Sequence, residues 1–351
     1  MRAIVQDRYG SPAGLRLQEV ERPVVGDDEV LVRVRAASVH PDVWHVVSGR
    51  PFLLRLMGEG LRRPKCPIPG TDLAGLVAAV GTNVTRFRPG DEVFGESVRG
   101  HSWRNGGTFA EYASVPEVGL AVKPANVTFE QAAAVPTMGY ITLLNLPVGR
   151  LRPGQWVLVN GAAGGVGACT VQLAKAYGAH VTGVDHTSKL DLVRSLGADQ
   201  VIDYTSDDFT RGDQRYDLIV DIPGNHSFAA CRRALTADGA YVLIGHDQYG
   251  RAGRRWLGSV PRFVKLAALS LFVRQLRRPG PAKLSKQEAM ATLRAHLEAG
   301  ELVPVIDRTY PLGEAGEAIR YLADNQAVGR VVLTFDGLSP GAARTGGAAI
   351  S

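Results

Sequence analysis

Cysteine is scarce in this sequence: Cys66, Cys169 and Cys231 are the only three among 351 residues, and they lie far apart. Without a C-x-x-C pair, they indicate neither a disulfide framework nor a cysteine-rich zinc site. Long uncharged runs are missing as well, because charges interrupt the apolar stretches before the roughly 18 residues that a membrane span requires. The first residues, from Met1, alternate like a strand and have neither an apolar signal region nor a small-residue cleavage site. We therefore expect a soluble protein in the reducing cytoplasm.

Acidic residues are absent between Asp247 and Glu288, where ten lysines and arginines accumulate. This one segment accounts for the net charge of +6, so the charge gives no reason to expect a nucleic-acid partner. With 45% hydrophobic residues, the chain can bury a large core, and its length predicts two domains.

The predicted secondary structure differs between the first part of the chain and the rest. Up to about Pro124 it predicts short strands and turns, whereas from Trp156 strands alternate with helices, which indicates a parallel sheet covered on both faces. A helix is predicted from Lys286 to Ala299 and a last strand from Arg330 to Phe335. The tail, residues 337–351, is small and polar, and we expect it to be disordered.

A glycine-rich loop follows the predicted strand that ends at Asn160 and opens the next helix. Its glycines permit a tight turn, let the backbone approach a pyrophosphate, and bring helix and strand close together. Between a strand and a helix, this pattern predicts a dinucleotide site. The loop residues expected to bind the coenzyme are Gly161, Gly164, Gly165, Val166 and Gly167.

The form of the coenzyme depends on Asp185, which ends the second strand of this unit, 24 positions after Gly161. A carboxylate there binds the adenosine ribose hydroxyls and repels a 2′-phosphate, which favours NAD(H) over NADP(H). The alternative is a small phosphate site made by residues beside the same ribose, and NAD(P)H in either form stays open. The residues of that alternative site are Thr187, Ser188, Lys189 and Tyr204.

The sequence resembles the medium-chain dehydrogenase/reductase superfamily, and within it the zinc-independent, quinone-oxidoreductase-like branch. Six landmarks carry the resemblance in the family's order: Ala36 to Pro41, Pro69 to Gly75, Pro89 to Gly95, Gly106 to Tyr112, the glycine loop and Gly329 to Val332. The resemblance implies an α/β fold, in which a Rossmann doubly wound parallel sheet is inserted in a β-rich GroES-like catalytic domain, and commonly a homodimer. We expect the catalytic domain in residues 1–124 and 286–336 and the Rossmann domain in residues 125–270, with a basic segment at 250–285.

Zinc-dependent relatives place a cysteine where this chain has His40 and a His-Glu pair where it has Thr71 and Asp72. From Ala132 to Tyr140 the sequence also offers no Cys, His or carboxylate. A catalytic zinc needs three converging protein ligands, so we expect no zinc.

Without a metal, hydrogen-bond donors must stabilise the charge that develops during hydride transfer. The candidates are His40, His45, which aligns with a proton-relay histidine of the superfamily, and Tyr140, which the resemblance places beside the nicotinamide. A structural role for each histidine is the alternative. The resemblance also places Thr142 near the domain hinge and Arg330 near the pyrophosphate, where a guanidinium binds phosphate oxygens well.

The sequence thus predicts a zinc-free reductase that transfers hydride from NAD(P)H to an activated C=C or C=O of a small molecule such as a quinone, enone or aldehyde. One alternative is a zinc-dependent alcohol dehydrogenase. Another is a nicotinamide-binding membrane-associated or regulatory protein with little turnover. The basic segment suggests the last, because its apolar residues alternate with arginines, although a lid, a dimer contact or a packed helix would show the same pattern.

Overall fold

The computed structural model describes residues 1–56, 60–98, 104–146, 151–245, 256–276, 284–324 and 327–335. The expected disordered tail and parts of the basic segment lie outside these residues. The strands are β1 (Arg2–Val5), β2 (Arg16–Glu19), β3 (Glu29–Val39), β4 (Asp72–Val80), β5 (Glu92–Glu96), β6 (Tyr112–Pro116), β7 (Leu120–Val122), β8 (Trp156–Asn160), β9 (His180–Asp185), β10 (Gln200–Asp203), β11 (Tyr216–Asp221), β12 (Leu235–Leu243), β13 (Ile306–Pro311) and β14 (Arg330–Thr334). The helices are α1 (Pro41–Ser48), α2 (Phe129–Ala133), α3 (Pro136–Asn145), α4 (Gly165–Ala176), α5 (Leu190–Ser195), α6 (Phe228–Arg233), α7 (Val260–Ser270), α8 (Lys286–Glu298) and α9 (Ala315–Ala323).

A seven-stranded sheet joins strands from both ends of the chain. Its order is β13-β14-β3-β4-β5-β7, and β6 also pairs with β3. The long strand β3 is central because it pairs with β4, β6 and β14, so the last described strand closes onto the first domain. We propose on this basis the domain limits expected from the sequence.

A five-stranded sheet of order β10-β9-β8-β11-β12 is parallel throughout. Both of its faces are buried, because Val157 and Val159 of β8 pack in one apolar cluster with residues of α3, α4 and α8, whereas Leu158 packs in another with residues of α6. A strand buried on both faces needs an apolar run such as Val157-Leu158-Val159. The Rossmann-type fold predicted from the sequence is therefore confirmed.

Capping residues and a proline determine where the helices near the site begin. Ser285 and Glu288 form a capping box at the start of α8, and Pro136 occupies the first turn of α3. Ser227 caps α6 from outside the helix, because its side chain accepts a hydrogen bond from the Ala230 N–H.

The described part of the basic segment forms α7, in which no residue is buried. The stretch before this helix contacts the first domain, because the Leu53 N–H donates to the Trp256 carbonyl at 3.2 Å. Among the described residues, no helix combines the length and the apolar content needed to cross a membrane.

Candidate active site

The glycine loop turns tightly at the end of β8. Gly161 has φ +83°, a left-handed conformation that favours glycine. A side chain at Gly167 would place its Cβ 2.0 Å from the Gly161 carbonyl oxygen, so helix and loop pack in direct backbone contact. Gly164, just before α4, provides no capping side chain, which leaves the first backbone N–H groups of the helix for an anion. These features fit a dinucleotide pyrophosphate.

Arg330 links this loop to the catalytic domain. A Cβ on Gly165 would lie 2.7 Å from the Arg330 Cδ, which shows how closely the side chain packs on the start of α4. The guanidinium is 5% exposed, its Nη2 donates to Ser38 Oγ at 3.0 Å, and it lies 3.4 Å from an Asp72 oxygen. Its Nε has no hydrogen-bond partner among the described residues, and this buried donor next to the loop suits a phosphate oxygen.

Asp72 is a fully buried carboxylate surrounded by donors. It accepts hydrogen bonds from the Thr137 hydroxyl at 2.5 Å, the Thr137 N–H at 3.1 Å and the Ser38 hydroxyl at 3.1 Å, in addition to the Arg330 guanidinium. These donors come from β3, α3 and β14. Asp72 therefore connects the two domains rather than offering lone pairs to a ligand.

A small cavity of about 20 Å³ lies near this carboxylate, and His40, Asp42, Thr71, Glu96, Arg104 and Thr137 are among its lining residues. His40 is buried with its Nε2 2.9 Å from the Thr71 hydroxyl. Its Nδ1 lies 3.8 Å from the Asp42 carboxylate and has no hydrogen-bond partner among the described residues. Burial lowers the pKa of His40, more than the nearby Asp72 and Asp42 raise it, so the imidazole is neutral at pH 7.

The second candidate histidine, His45, lies further along α1 and is not among the residues that line the cavity. Its Nδ1 lies 2.7 Å from the Arg50 carbonyl oxygen, and its ring contacts Trp44 edge to face. Burial lowers the pKa of His45. The relay role expected for His45 stays a prediction.

Tyr140 belongs to a buried charged group on the same side of the site. The Lys286 ammonium lies 4.2 Å from the centroid of the Tyr140 ring and forms an ion pair with Glu96, which lines the cavity. The Tyr140 hydroxyl donates to the Leu284 carbonyl at 3.4 Å, and burial raises its pKa. Thr142, from the same helix, donates to the Val166 carbonyl at 3.4 Å and so contacts the start of α4.

At the adenosine end, both Asp185 oxygens accept backbone hydrogen bonds, from Ala163 N–H at 2.8 Å and His186 N–H at 2.9 Å. The Thr187 hydroxyl donates to the Asp203 carboxylate, and Lys189 Nζ donates to the Ala327 carbonyl at 3.0 Å. Lys189 and Thr187 are thus engaged by protein groups. The Tyr204 side chain is half exposed and packs against the His186 ring.

The residues of this site do not fit a catalytic zinc. His40 and Asp72 are held by the hydrogen bonds described above, and nowhere in the described ranges do three or more His, Cys, Asp or Glu side chains converge as a ligand set.

Sequence reasoning missed Glu96, Lys286 and Asp203. Glu96 directly follows the landmark that ends at Gly95, and Lys286 begins the helix after the basic segment, but 190 positions separate them. Asp203 ends β10 directly beside Asp185 in the parallel register. An aspartate at the end of each of two successive predicted strands was the sequence pattern that could have identified it.

Two known families match the chain. Residues 26–125 match the alcohol dehydrogenase GroES-like domain, and residues 196–333 match the zinc-binding dehydrogenase family. The first match confirms the GroES-like catalytic domain expected from the sequence.

Similar proteins match over nearly the whole chain. A chloroplastic quinone oxidoreductase of Triphysaria versicolor is 31% identical over 348 residues, which covers 95% of this chain and 98% of that protein. A chloroplastic NADPH-dependent alkenal/one oxidoreductase of Arabidopsis thaliana is 31% identical over 346 residues, covering 95% and 79%. The structure of the quinone oxidoreductase from Coxiella burnetii superimposes with a TM-score of 0.78 at 26% identity, covering 95% of this chain and 99% of that one.

Proposed function

Because this chain belongs to the medium-chain dehydrogenase/reductase superfamily, among its quinone and enone oxidoreductases, we infer that it is an NAD(P)H-dependent reductase of activated C=C or C=O bonds. The observation that carries this function is a polar cavity, lined by His40 and Glu96, in a chain that also presents an open glycine loop and Arg330 to a dinucleotide. We propose that quinones and enones are the substrate class.

The glycine loop and Arg330 would hold the coenzyme pyrophosphate, and Thr142 and Tyr140 belong to the helix that leads from this loop toward the cavity. When bound, the nicotinamide supplies a hydride to the substrate. The protein's own groups orient the substrate and stabilise the charge left on it.

We propose a reaction without zinc, in which His40 binds the substrate oxygen. In the tautomer we propose, the proton is on Nδ1, and the Thr71 hydroxyl donates to His40 Nε2 at 2.9 Å rather than to Asp72 at 3.3 Å, so that Nδ1 keeps a donor for a ligand. A neutral imidazole donor buried in a cavity is effective because no solvent screens it. The poor fit of the residues to a zinc ligand set supports the same mechanism.

We propose NADH as the preferred coenzyme. Asp185 and Asp203 are register partners at the carboxyl ends of β9 and β10. The hydrogen bond from Thr187, with those from Thr205, lowers the pKa of Asp203, so this group is ionised at neutral pH. Two negative charges at the ribose end oppose a 2′-phosphate, and the Thr187 hydroxyl and Lys189 ammonium that would bind it are already engaged.

The experiment that tests this function is oxidation of NADH and NADPH, side by side, by metal-stripped protein with a panel of quinones, enones and aldehydes. Turnover that survives stripping, faster with NADH, is the expected result. Activity that disappears on stripping and returns with zinc would overturn the zinc-free mechanism, and faster turnover with NADPH would overturn the coenzyme assignment.

The homodimer and the cytoplasmic location expected from the sequence stay predictions. Light scattering of the purified protein measures the first directly, and a mass of about twice 37.5 kDa is expected.

A further inference from the structure

The mechanism above leaves unused a buried ion pair at the wall of the cavity. Glu96, at the end of β5, and Lys286, at the start of α8, are each 9% exposed in their side chains and in direct contact. Burying two charges is costly, and a structural link between strand and helix is made more cheaply by apolar residues. The pair therefore requires an explanation beyond packing.

A second Glu–Lys pair on the same strand provides a comparison. Lys123 lies 3.0 Å from Glu92, but the Glu92 side chain is 47% exposed, and the Lys123 ammonium also donates to the carbonyls of Pro124 and Val127. In that pair the lysine is buried, but its carboxylate faces solvent. Glu96, by contrast, lines the cavity beside His40 and Thr71, and among the described residues Glu96 is the hydrogen-bond partner of the Lys286 ammonium.

Three elements converge to hold this group. Strand β5 provides the carboxyl, α8 provides the ammonium, and α3 provides the Tyr140 ring, 4.2 Å from that ammonium. The aromatic face stabilises the cation in the interior, so Lys286 is fixed against the carboxyl. An acid held in one position against the cavity meets the geometric requirement for proton transfer.

We propose that Glu96 is a catalytic acid that protonates the substrate anion left by hydride addition, and that Lys286 is its positioning residue. This rests on the proposed function, since it assigns the proton donor of the same reaction.

The step balances as follows. An enone that has accepted a hydride, with its two electrons, at its β carbon is an enolate. The O–H bond of the Glu96 carboxyl breaks, a C–H bond forms at the α carbon of the substrate, and the electron pair of the O–H bond stays on Glu96. The resulting carboxylate is stabilised by Lys286 and regains its proton from water entering the cavity.

Below about pH 7 this acid carries a proton, because burial opposes its charged form and raises its pKa. Burial raises its pKa to about 7, although Lys286 on α8 lowers it, and Asp72 on β4 and Asp42 on α1 raise it further. The remaining titratable groups nearby are His40 and Arg104 at the cavity and Tyr140 on α3. A proton donor of this kind works below its pKa, so enone reduction falls as the pH rises through about 7.

The test compares Glu96→Gln with Glu92→Gln, a matched change on the same strand. With an enone and NADH, we expect E96Q to lower kcat by about 100-fold and to abolish the decline above neutral pH. E92Q should leave both unchanged. With a quinone the loss in E96Q should be smaller, because the product oxygen takes its proton readily from water, whereas carbon does not. Lys286→Met should move the decline to higher pH, because the ammonium that favours the carboxylate is gone.

A readout without turnover is infrared titration of the free protein. The absorbance of a protonated carboxyl group should persist to about pH 7 in the wild type and in E92Q, and be missing in E96Q. If E96Q slows quinone and enone reduction equally and keeps the wild-type pH profile, Glu96 is structural and the proposal is wrong. Wild-type protein that oxidises neither NADH nor NADPH with any substrate would instead overturn the proposed function, while the infrared result would still report on the acid.

Discussion

The two ends of the proposed coenzyme cleft, the reaction end and the adenosine end, differ in how their carboxylates are held. At the reaction end, Asp72 and Glu96 are buried, and each faces a buried cation, Arg330 or Lys286. At the adenosine end, Asp185 and Asp203 are held by backbone and hydroxyl donors, with no cation paired to either among the described residues. Asp185 is itself buried, whereas Asp203 is only partly buried. Electrostatic energies grow as water is excluded, so we expect large effects from Asp72 and Glu96 and a small one from Asp203.

The strongest test of this contrast is Asp72→Ala. Removing one partner of a buried pair leaves Arg330 uncompensated and the donors on Ser38 and Thr137 unsatisfied, so we expect the free energy of unfolding to fall by about 3–5 kcal/mol. Urea unfolding followed by circular dichroism measures it. The control is Asp238→Ala, which removes an exposed pair with Arg274 and should cost less than about 1 kcal/mol. Equal losses in the two variants would contradict the contrast.

At the reaction end, we expect a smaller effect from the pH dependence of stability than from Asp72→Ala. Because the pKa of Glu96 is raised from 4.5 to about 7, the folded state binds more protons than the unfolded state in this range, and stability declines as the pH rises from about 4.5 to about 7. The decline should reach a few kcal/mol at most, because a difference of one in pKa is worth about 1.4 kcal/mol. In Glu96→Gln that component should vanish, as measured by urea unfolding at several pH values. An unchanged pH dependence would show that Glu96 has an ordinary pKa.

In the glycine loop, substitutions of Gly164 and Gly167 should distinguish an effect on coenzyme binding from an effect on stability. A Cβ on Gly164 would meet only the Gly161 oxygen, at 3.5 Å, whereas a Cβ on Gly167 would clash with it at 2.0 Å. We expect Gly164→Ala to keep the wild-type stability and to raise the Kd of NADH about tenfold, since the loop approaches the pyrophosphate closely. Gly167→Ala should lose stability as well. Fluorescence titration measures the Kd of NADH, and thermal unfolding measures the stability. A G164A variant that binds NADH as tightly as the wild type would show that the loop is not part of the coenzyme site.

The smallest effect belongs to Asp203, which is only partly buried. Asp203→Ser should raise the ratio of NADPH to NADH activity by about fivefold, because a partly screened charge is removed beside the ribose. Steady-state kinetics with both coenzymes measures the ratio. Asp213→Ser, on the exposed loop before β11, is the matched control and should leave it unchanged. A ratio that does not move in D203S would assign the coenzyme preference to Asp185 alone.

Local patterns were sufficient for most of the fold. The apolar run 157–159 predicted a strand buried on both faces, and the glycine loop predicted the strand-to-helix turn, because each depends on neighbouring residues. Asp185 was found for the same reason, but its two backbone donors were not, since they arise only once the loop folds over the strand end.

The reaction end was less predictable because its contacts are distant in sequence. Asp72 was considered as an imperfect metal ligand, whereas its partners Ser38, Thr137 and Arg330 come from three separate elements. The pairing of Glu96 with Lys286 had no local signature at all. Resemblance identified the positions of His40 and Tyr140, but not that one has an unpartnered nitrogen and the other lies beneath an ammonium.

Arg330 has a consequence for how the protein is made. It belongs to β14, the last described strand, yet its side chain packs on Gly165 near the middle of the chain and contacts Asp72 in the first domain. During synthesis, the glycine loop and the catalytic sheet emerge from the ribosome well before this arginine does. Until β14 pairs with β3, Asp72 lacks its cation and the loop lacks its guanidinium. If the dinucleotide binds at the site we propose, a nascent chain acquires its full affinity for it only when β14 is in place.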